Sequence, residues 1–441
     1  MKVLTFKKGG VHPKENKITK DKKIEIFFDV NEVIVPLHQH TGAPNQPLVN
    51  VKDKVLMGEK IGDCDAKVSS PVHSPISGEV VSIENVILPT GKFSLCIKIK
   101  NDKEYKLHES VVKRENIDSL DKTELLNIIR ESGIVGMGGA AFPTHIKLTP
   151  PPNKKVEYLI INGAECEPFL TCDYRLMVEE SENIVKGVEI LMKILEPKKV
   201  IFGIEENKKD AADELYKIIK NKNLSNIIDI VILKTKYPQG SEKHLIKAII
   251  GKEVPSGGLP FDVGCIVQNV GTTLAIKEAV CDGMPLIERV LTISGSGVKE
   301  SKNVKVKIGT LSRDIVDYCG GIEGDLRKII FGGPMMGFSS YTLDVPITKG
   351  TSGLLLFTDK EVKEYEELPC IRCGRCANSC PMYLMPMFID MYSRIEDFDK
   401  AKDFGALDCI ECGACGYVCP SKRYLVQSIR YAKNELIKRK K

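Results

Sequence analysis

The stretch VEYLIINGAECEP (156–168) sets an apolar run against an abrupt polar loop. Tyr158 to Ile161 show no in–out alternation, so the strand they form is covered on both faces, the habit of parallel sheets flanked by helices. The same grammar repeats downstream. KVIFGIE (199–205) and IIDIVILK (227–234) read as buried strands, and VQNVGTT (267–273) ends another. Between them, Met177, Ile184, Val188, Leu191 and Leu195 share one helical stripe, DAADELYKIIK (210–220) reads as a helix, and SEKHLIKAII begins a helix at Ser241. This alternation predicts a Rossmann-like parallel α/β domain, with bounds at 111–285.

Ligands of such sheets bind beyond the carboxyl ends of the strands. There the sequence places Asn162, Glu165 and Glu167, then Tyr237 and Glu242 in YPQGSEKHL (237–245), then Gln268, Asn269 and Thr272. Ahead of the first strand, GIVGMGGAAFPTHIK (133–147) carries Gly136, Gly138 and Gly139, whose exposed amides suit a phosphate or a flat ring. It is not a dinucleotide fingerprint, because no strand leads directly into it and no helix plainly follows. Each segment alone reads as a turn or cap. Together at successive strand ends they predict a nucleotide-type site, with amides and hydroxyls for a flavin and Lys147 for its phosphate. Phe142 reads equally as core or ligand-facing.

Two runs near the end share one spacing. CIRCGRCANSC (370–380) precedes Pro381, and CIECGACGYVC (409–419) precedes Pro420. Three evenly spaced thiolates wrap one iron–sulfur cubane, and the fourth reaches the other. This assigns Cys370, Cys373, Cys376 and Cys419 to a first 4Fe–4S cluster and Cys409, Cys412, Cys415 and Cys380 to a second. Zinc, the alternative, takes two pairs and has no use for the third evenly spaced Cys. The other seven of fifteen cysteines are scattered and read as small buried hydrophobes in a reducing compartment.

Outside these segments, residues 1–50 read as loops with short strands, including GGVHP (9–13) and PLHQHTGAPNQP (36–47). His12, His38 and His40 fit no standard metal spacing and suit turn or interface roles. VNVKDKVLMGEKIG (49–62) and SPISGEVVSIENV (74–86) resemble the two halves of a biotinyl/lipoyl-type barrel. Lys67 lies near the hairpin where a carrier holds its modified lysine, but DAKV departs from the carrier pattern. We therefore expect a barrel-sandwich-like domain within 1–110, used as a scaffold. RVLTIS (289–294), NVKVKIG (303–309), LSRDIVDYC (311–319) and KIIFGG (328–333) suit a β-grasp module at 286–345, and 346–441 a helical two-cluster ferredoxin domain. The expected fold class is thus multi-domain α/β.

The chain has 441 residues, 42% apolar and 28% charged, with a net charge of +5. That charge is too weak and too spread to argue for nucleic acid. No apolar run approaches the ~18 residues of a membrane span, and no signal peptide is visible, which predicts a cytoplasmic protein. The basic end KRKK (438–441) reads as a solvated terminus, with docking to an acidic partner or anionic lipid as the sharper alternative.

The segments from 133 to 285 resemble the flavin- and NADH-binding subunit of respiratory complex I. Its Gly-Arg-Gly-Gly-Ala-Gly-Phe-Pro-Thr loop ending in Lys appears as GMGGAAFPTHIK, and its Asn-Ala-Asp-Glu-x-Glu-Pro run as NGAECEP. Its Tyr-x-x-Gly-Glu-Glu and Asn-Asn-Val-Glu-Thr runs appear as YPQGSE and QNVGT. Met137, Ala164 and Ser241 stand where that family has Arg, Asp and Glu. With GGVHP, QHTGAP, GGPMMG (332–337) and the paired cysteine runs, nearly the whole chain resembles the RnfC subunit of the Rnf electron transport complexes. The resemblance implies a soluble-ligand-binding β-grasp module, non-covalent FMN, two 4Fe–4S clusters and NAD(H) as substrate. It implies partners among the other Rnf subunits, ferredoxin indirectly, and a peripheral place at the cytoplasmic face of the membrane. The complex couples electron flow between ferredoxin and NAD to Na+ or H+ translocation. It carries over Gly136, Gly138, Gly139, Lys147, Asn162, Glu165, Tyr237, Glu242, Asn269 and Thr272, and leaves open whether Glu242 or Glu167 meets the nicotinamide ribose. A cobalamin reductase of propanediol-utilisation microcompartments and a flavin-less electron-relay scaffold are the alternatives.

Overall fold

The computed structural model describes residues 3–439, so Lys440 and Lys441 of the basic end lie outside it. Its centre is a four-stranded parallel sheet in the order Ile228–Leu233, Lys199–Glu205, Tyr158–Gly163, Cys265–Asn269. The strand Tyr158–Gly163 is buried on both faces, as its unbroken apolar run predicts. Leu159 and Ile161 enter the larger core with helices Ser181–Leu195, Lys209–Asn221 and Val270–Asp282, while Ile160 joins the smaller one with Leu245 and Ile246 of helix Glu242–Ile250. The chain steps outward from 158–163 to 199–205 and 228–233, then returns to the opposite side for 265–269. That reversal opens a crevice between Asn162 and Asn269, which are paired in register.

The stripe from Met177 to Leu195 is two helices, Cys172–Glu179 and Ser181–Leu195, although all five stripe residues are buried. Ser181 Oγ donates to the Met177 carbonyl at 2.8 Å, and Glu180 leaves helical geometry (φ −123°, ψ 25°). A short helix, Thr144–Lys147, follows the Gly-rich loop, where the sequence pattern predicts none.

The barrel pairs strands Glu32–Pro36, Phe93–Asn101, Gly78–Ile87 and Lys54–Val55 against a small sheet of Gln46–Pro47, Lys60–Asp63 and Val72–His73. Val33, Val35, Ile61, Val80, Ile97 and Ile99 fill it. A six-stranded sheet runs in the order Ile24–Phe27, Lys302–Lys307, Glu288–Ser294, Gly353–Phe357, Lys328–Phe331, Phe338–Ser340, with helix Ser312–Tyr318 in the same segment. It extends past the expected limit at 345, because the wholly buried run Gly353–Phe357 fills its middle. Its edge strand Ile24–Phe27 comes from the N-terminal region. The cysteine region is helical, and Leu425, Ile429, Ala432 and Leu436 of helix Leu425–Lys438 are buried, matching the stripe in the sequence. Among the described residues, no helix is long and apolar enough to cross a membrane.

The N-terminal segment ties the units together. Leu4 exchanges backbone hydrogen bonds with the edge strand, to Ile232 and from Lys234 at 2.9 Å each, and the Gly10 amide donates to Ser379 at 2.8 Å. Gly9 (φ +73°) lies where a Cβ would stand 2.6 Å from the Cys380 carbonyl.

Gly187 is the tightest point between helices Ser181–Leu195 and Val270–Asp282: a Cβ there would stand 2.2 Å from the Thr273 carbonyl. Alanine gains about 1 kcal/mol of helix propensity over glycine, but overpacking against backbone costs about 1–3 kcal/mol. Gly187→Ala is expected to lower the urea midpoint of the full chain; an unchanged or higher midpoint would show that the two helices separate freely.

Candidate functional site

The crevice between strands 158–163 and 265–269 is built from both sides. Asn269 caps helix Val270–Asp282, its Oδ1 accepting from the amides of Gly271 at 2.9 Å and Thr272 at 3.2 Å. Thr272 Oγ in turn accepts from the Met137 amide at 2.9 Å, which fastens the Gly-rich loop to this helix. The loop closes on itself, with Gly136 N–H on the Phe142 carbonyl at 2.9 Å and Val135 bridged to Pro143. Gly138 passes over the Asn269 side chain so closely that a Cβ would stand 3.2 Å from it. Glu165 (φ 45°) accepts from the amides of Asp173 at 2.8 Å and Tyr174 at 3.2 Å, the anion-favouring start of helix Cys172–Glu179. Asn269 Nδ2 donates to Asp173 at 2.7 Å. Burial and the neighbouring Glu165 charge push the Asp173 carboxyl up to about 7. Gly136, Gly138, Gly139, Glu165, Asn269 and Thr272 thus surround one centre. Nothing in the sequence marks Asp173 as its hub.

The remaining predicted ligands are engaged elsewhere. Asn162 donates to the Gly240 carbonyl at 2.8 Å and accepts from the Ala164 amide at 3.1 Å, holding two strand-end loops together. Lys147 and Glu242 form an ion pair at 2.6 Å, each neutralising the other. The Tyr237 ring is buried, and its hydroxyl donates to the carbonyl of Cys412 at 2.7 Å. Glu167 accepts from the amides of Met335 at 3.0 Å and Met336 at 2.9 Å, while burial pushes its carboxyl up to about 7 against those bonds. Gly333 admits this carboxylate; a Cβ there would fall 2.2 Å from it. No spacing or periodicity marks GGPMMG for this role. The same holds for Lys17, whose Nζ donates to the carbonyls of Glu165 and Glu167 at 3.0 Å each.

What stays available fits a nucleotide. The amides of Gly138, Gly139 and Ala140 donate to no other described residue, and Nε2 of the buried Gln268 has no partner among them. Open backbone donors over a polar crevice suit an anionic, ring-bearing ligand.

The cysteine region folds as a repeat. Arg372 and Glu411 both hold φ 55°, and Gly374 and Gly413 hold 72° and 80°. Short helices Arg375–Ser379 and Ala414–Tyr417 follow, and then Tyr383 and Lys422 at 58° and 51°. Cys380, Cys409, Cys412 and Cys415 line one cavity with about 350 Å³ of atom-free space. Burial first, with Cys380 nearby, pushes the Cys409 thiol up to about 11 and Cys412 up to about 12. Cys376 is raised by burial and then by its neighbours Cys419 and Cys370. Four crowded thiols that resist ionisation alone are suited to a multiply charged metal centre. Cys370 and Cys373 are exposed. Of the scattered cysteines, Cys96, Cys172, Cys265 and Cys319 are buried, and Cys64, Cys166 and Cys281 half-buried.

Three family models match: the RnfC Barrel sandwich hybrid domain over residues 4–104, the Nuo51 FMN-binding domain over 129–278, and the 4Fe-4S dicluster domain over 363–420. Among curated relatives, the C subunit of the proton-translocating ferredoxin:NAD(+) oxidoreductase complex of Clostridium ljungdahlii is 49% identical, over 97% of this chain and 93% of that one. The C subunit of the Na(+)-translocating ferredoxin:NAD(+) oxidoreductase complex of Acetobacterium woodii is 42% identical, over 98% and 97%. Two crystal structures of an NAD+-reducing [NiFe]-hydrogenase share the fold at 17% identity, with TM-scores of 0.50 and 0.51. They align with 74% and 73% of this chain, which spans 64% and 66% of theirs.

Tyr237→Phe removes the one side-chain donor to the Cys412 carbonyl at a buried position. A lost buried hydrogen bond costs about 1–3 kcal/mol. The variant, matched to wild type for bound iron, is expected to unfold at lower urea; an unshifted midpoint would mean the bond carries no net stability.

Proposed function

The chain belongs to the RnfC family of the ion-translocating ferredoxin:NAD(+) oxidoreductase (Rnf) complexes, and on that premise we propose that it is the peripheral subunit where NAD(H) meets the complex, at the cytoplasmic face of the membrane. It is an oxidoreductase subunit with FMN and iron–sulfur clusters, and its partners are the other Rnf subunits. The carrying observation is the direct contact between the two halves of the site, Tyr237 on Cys412. Val11, Tyr237, Cys412 and Ala414, with Cys166 and Met335 against them, form a dry apolar seam between the strand-end loops and the second cysteine cavity.

In this reading the amides of Gly138 and Gly139 receive the flavin nucleotide, and Asn269, Thr272 and Glu165 fix the loops that carry them. Bound there, FMN exchanges hydride with NAD(H) and single electrons with iron–sulfur carriers. Tyr237 and its neighbours keep water out of the seam. Cys380, Cys409, Cys412 and Cys415 would hold the inner cluster. Cys370, Cys373, Cys376 and Cys419 would hold the outer one, whose exposed cysteines face the partner subunits. The Lys147–Glu242 pair must open for either side chain to meet a ligand.

The module after residue 286 we assign as a β-grasp. Its support is the order of five strands, 302–307, 288–294, 353–357, 328–331 and 338–340, with the 288–294 and 353–357 strands parallel at the centre and the helix 312–318 between the second and third strands in sequence. The two relatives named for different ions both align along nearly the whole chain, which puts the choice of Na+ or H+ outside the features they share.

Full-length protein purified anaerobically is expected to show flavin absorption beside iron–sulfur absorption, and NADH to bleach both. Cys412→Ser should also stop NADH from reducing the remaining outer cluster, whereas Cys373→Ser should leave reduction of the inner cluster intact. Protein that holds iron yet takes no FMN and ignores NADH would overturn the assignment.

A further inference from the structure

The Gly-rich loop is gripped from outside its own domain. Its tip, Gly138 to Ala140, is exposed. On one side it rests on Asn269 and Thr272. On the other stands a barrel segment, 38–45. Thr41 Oγ donates to the Ala140 carbonyl at 2.7 Å, and the Thr41 amide donates to the Ala141 carbonyl at 3.1 Å. Ala141 holds φ 49°, a left-handed conformation that alanine adopts only when its surroundings enforce it.

The gripping segment is itself rigid. A ring nitrogen of His38 bonds the Gly42 carbonyl at 3.1 Å and one of His40 bonds the Ala43 carbonyl at 2.9 Å, so both histidines build the turn. Buried Gln39 donates to the Pro36 carbonyl at 3.0 Å and accepts from the Lys349 amide at 2.9 Å. Gly42 (φ +133°) presses so closely on Val68 that a Cβ would stand 2.1 Å from its carbonyl, and the Ala43 amide donates to that same oxygen at 3.0 Å. The hairpin that would offer Lys67 as a carrier lysine is therefore packed behind Thr41. A second hold acts at the root of the loop. Buried Lys349 donates to the carbonyls of Gly133 and Pro71 at 2.7 Å each, joining the unit of the six-stranded sheet to the barrel and to the Gly-rich loop.

We propose that the barrel-sandwich domain is a brace for the Gly-rich loop and that Thr41 is its positioning residue, keeping the amides of Gly138, Gly139 and Ala140 in ligand-ready geometry. This rests on reading that loop as the flavin-nucleotide site. A loop ordered in advance spares the ligand the cost of ordering it. The contact would explain why a carrier-type scaffold without a carrier motif adjoins a redox domain.

The test compares Thr41→Val, which keeps shape and backbone amide but lacks the hydroxyl, with Thr41→Ser, which restores it, in the full cluster-loaded chain at equal iron content. Two readouts are taken: hydrogen–deuterium exchange of the peptide 134–142 without flavin, and the FMN dissociation constant from flavin fluorescence. The valine variant is expected to exchange faster at the loop tip and to bind FMN about five- to tenfold more weakly, and the serine variant to match wild type. Wild-type behaviour of Thr41→Val in both readouts would overturn the brace. If wild type itself takes no FMN, the flavin reading falls and exchange alone decides: unchanged exchange ends the brace, faster exchange sustains it. Should Thr41→Val not fold, Thr41→Ala carries the same comparison.

Discussion

Electron transfer between buried centres requires fixed, dry contact, and in this chain one hydrogen bond anchors that contact: the Tyr237 hydroxyl on the Cys412 carbonyl. Tyr237 stands at the end of a sheet strand and Cys412 in a cysteine loop, so the bond joins two units that share no secondary structure. Much of the neighbourhood serves the same constraint. Glu167 reaches across to the Met335 and Met336 amides, Gly413 backs onto the Met335 carbonyl, and a ring nitrogen of His244 bonds the Pro381 carbonyl at 3.0 Å. Each commits the polar capacity of one unit to the backbone of another, which fixes orientation more firmly than apolar packing alone.

That arrangement explains why most of the site's side chains are already engaged. Asn162, Glu165, Tyr237 and Asn269 all bond protein groups. They act as architecture, and the surface left for a ligand is main chain. Altered positions relative to the complex I pattern, such as Met137 and Ala164, are buried apolar residues here. A loop that offers backbone donors tolerates such exchanges better than one that depends on side chains.

Much of this was legible in the sequence because it depends on local periodicity or on spacing. The double-sided burial of Leu159 to Ile161 follows from an unbroken apolar run, the terminal helix from its stripe, and the repeated cysteine loops from identical intervals. What could not be read depends on long-range partners. The break at Glu180 hinges on a hydroxyl choosing a backbone carbonyl. The pairing of Lys147 with Glu242 depends on how a short helix docks. Asp173 gains importance only because Glu165 and Asn269 arrive from distant strands, and the sheet past 345 is completed by a run whose neighbours are set by topology.

The strand Ile24–Phe27 pairs in parallel with Lys302–Lys307, although the barrel and the entire parallel sheet lie between them in sequence. Contacts so remote along the chain close late and slowly. As the polypeptide emerges from the ribosome, this edge must wait, unpaired, until most of the molecule has been made, and Gly9 must wait longer still for Cys380. The N-terminal segment is thus the latch rather than the seed of the assembly: it locks the finished units together after each has formed its own core.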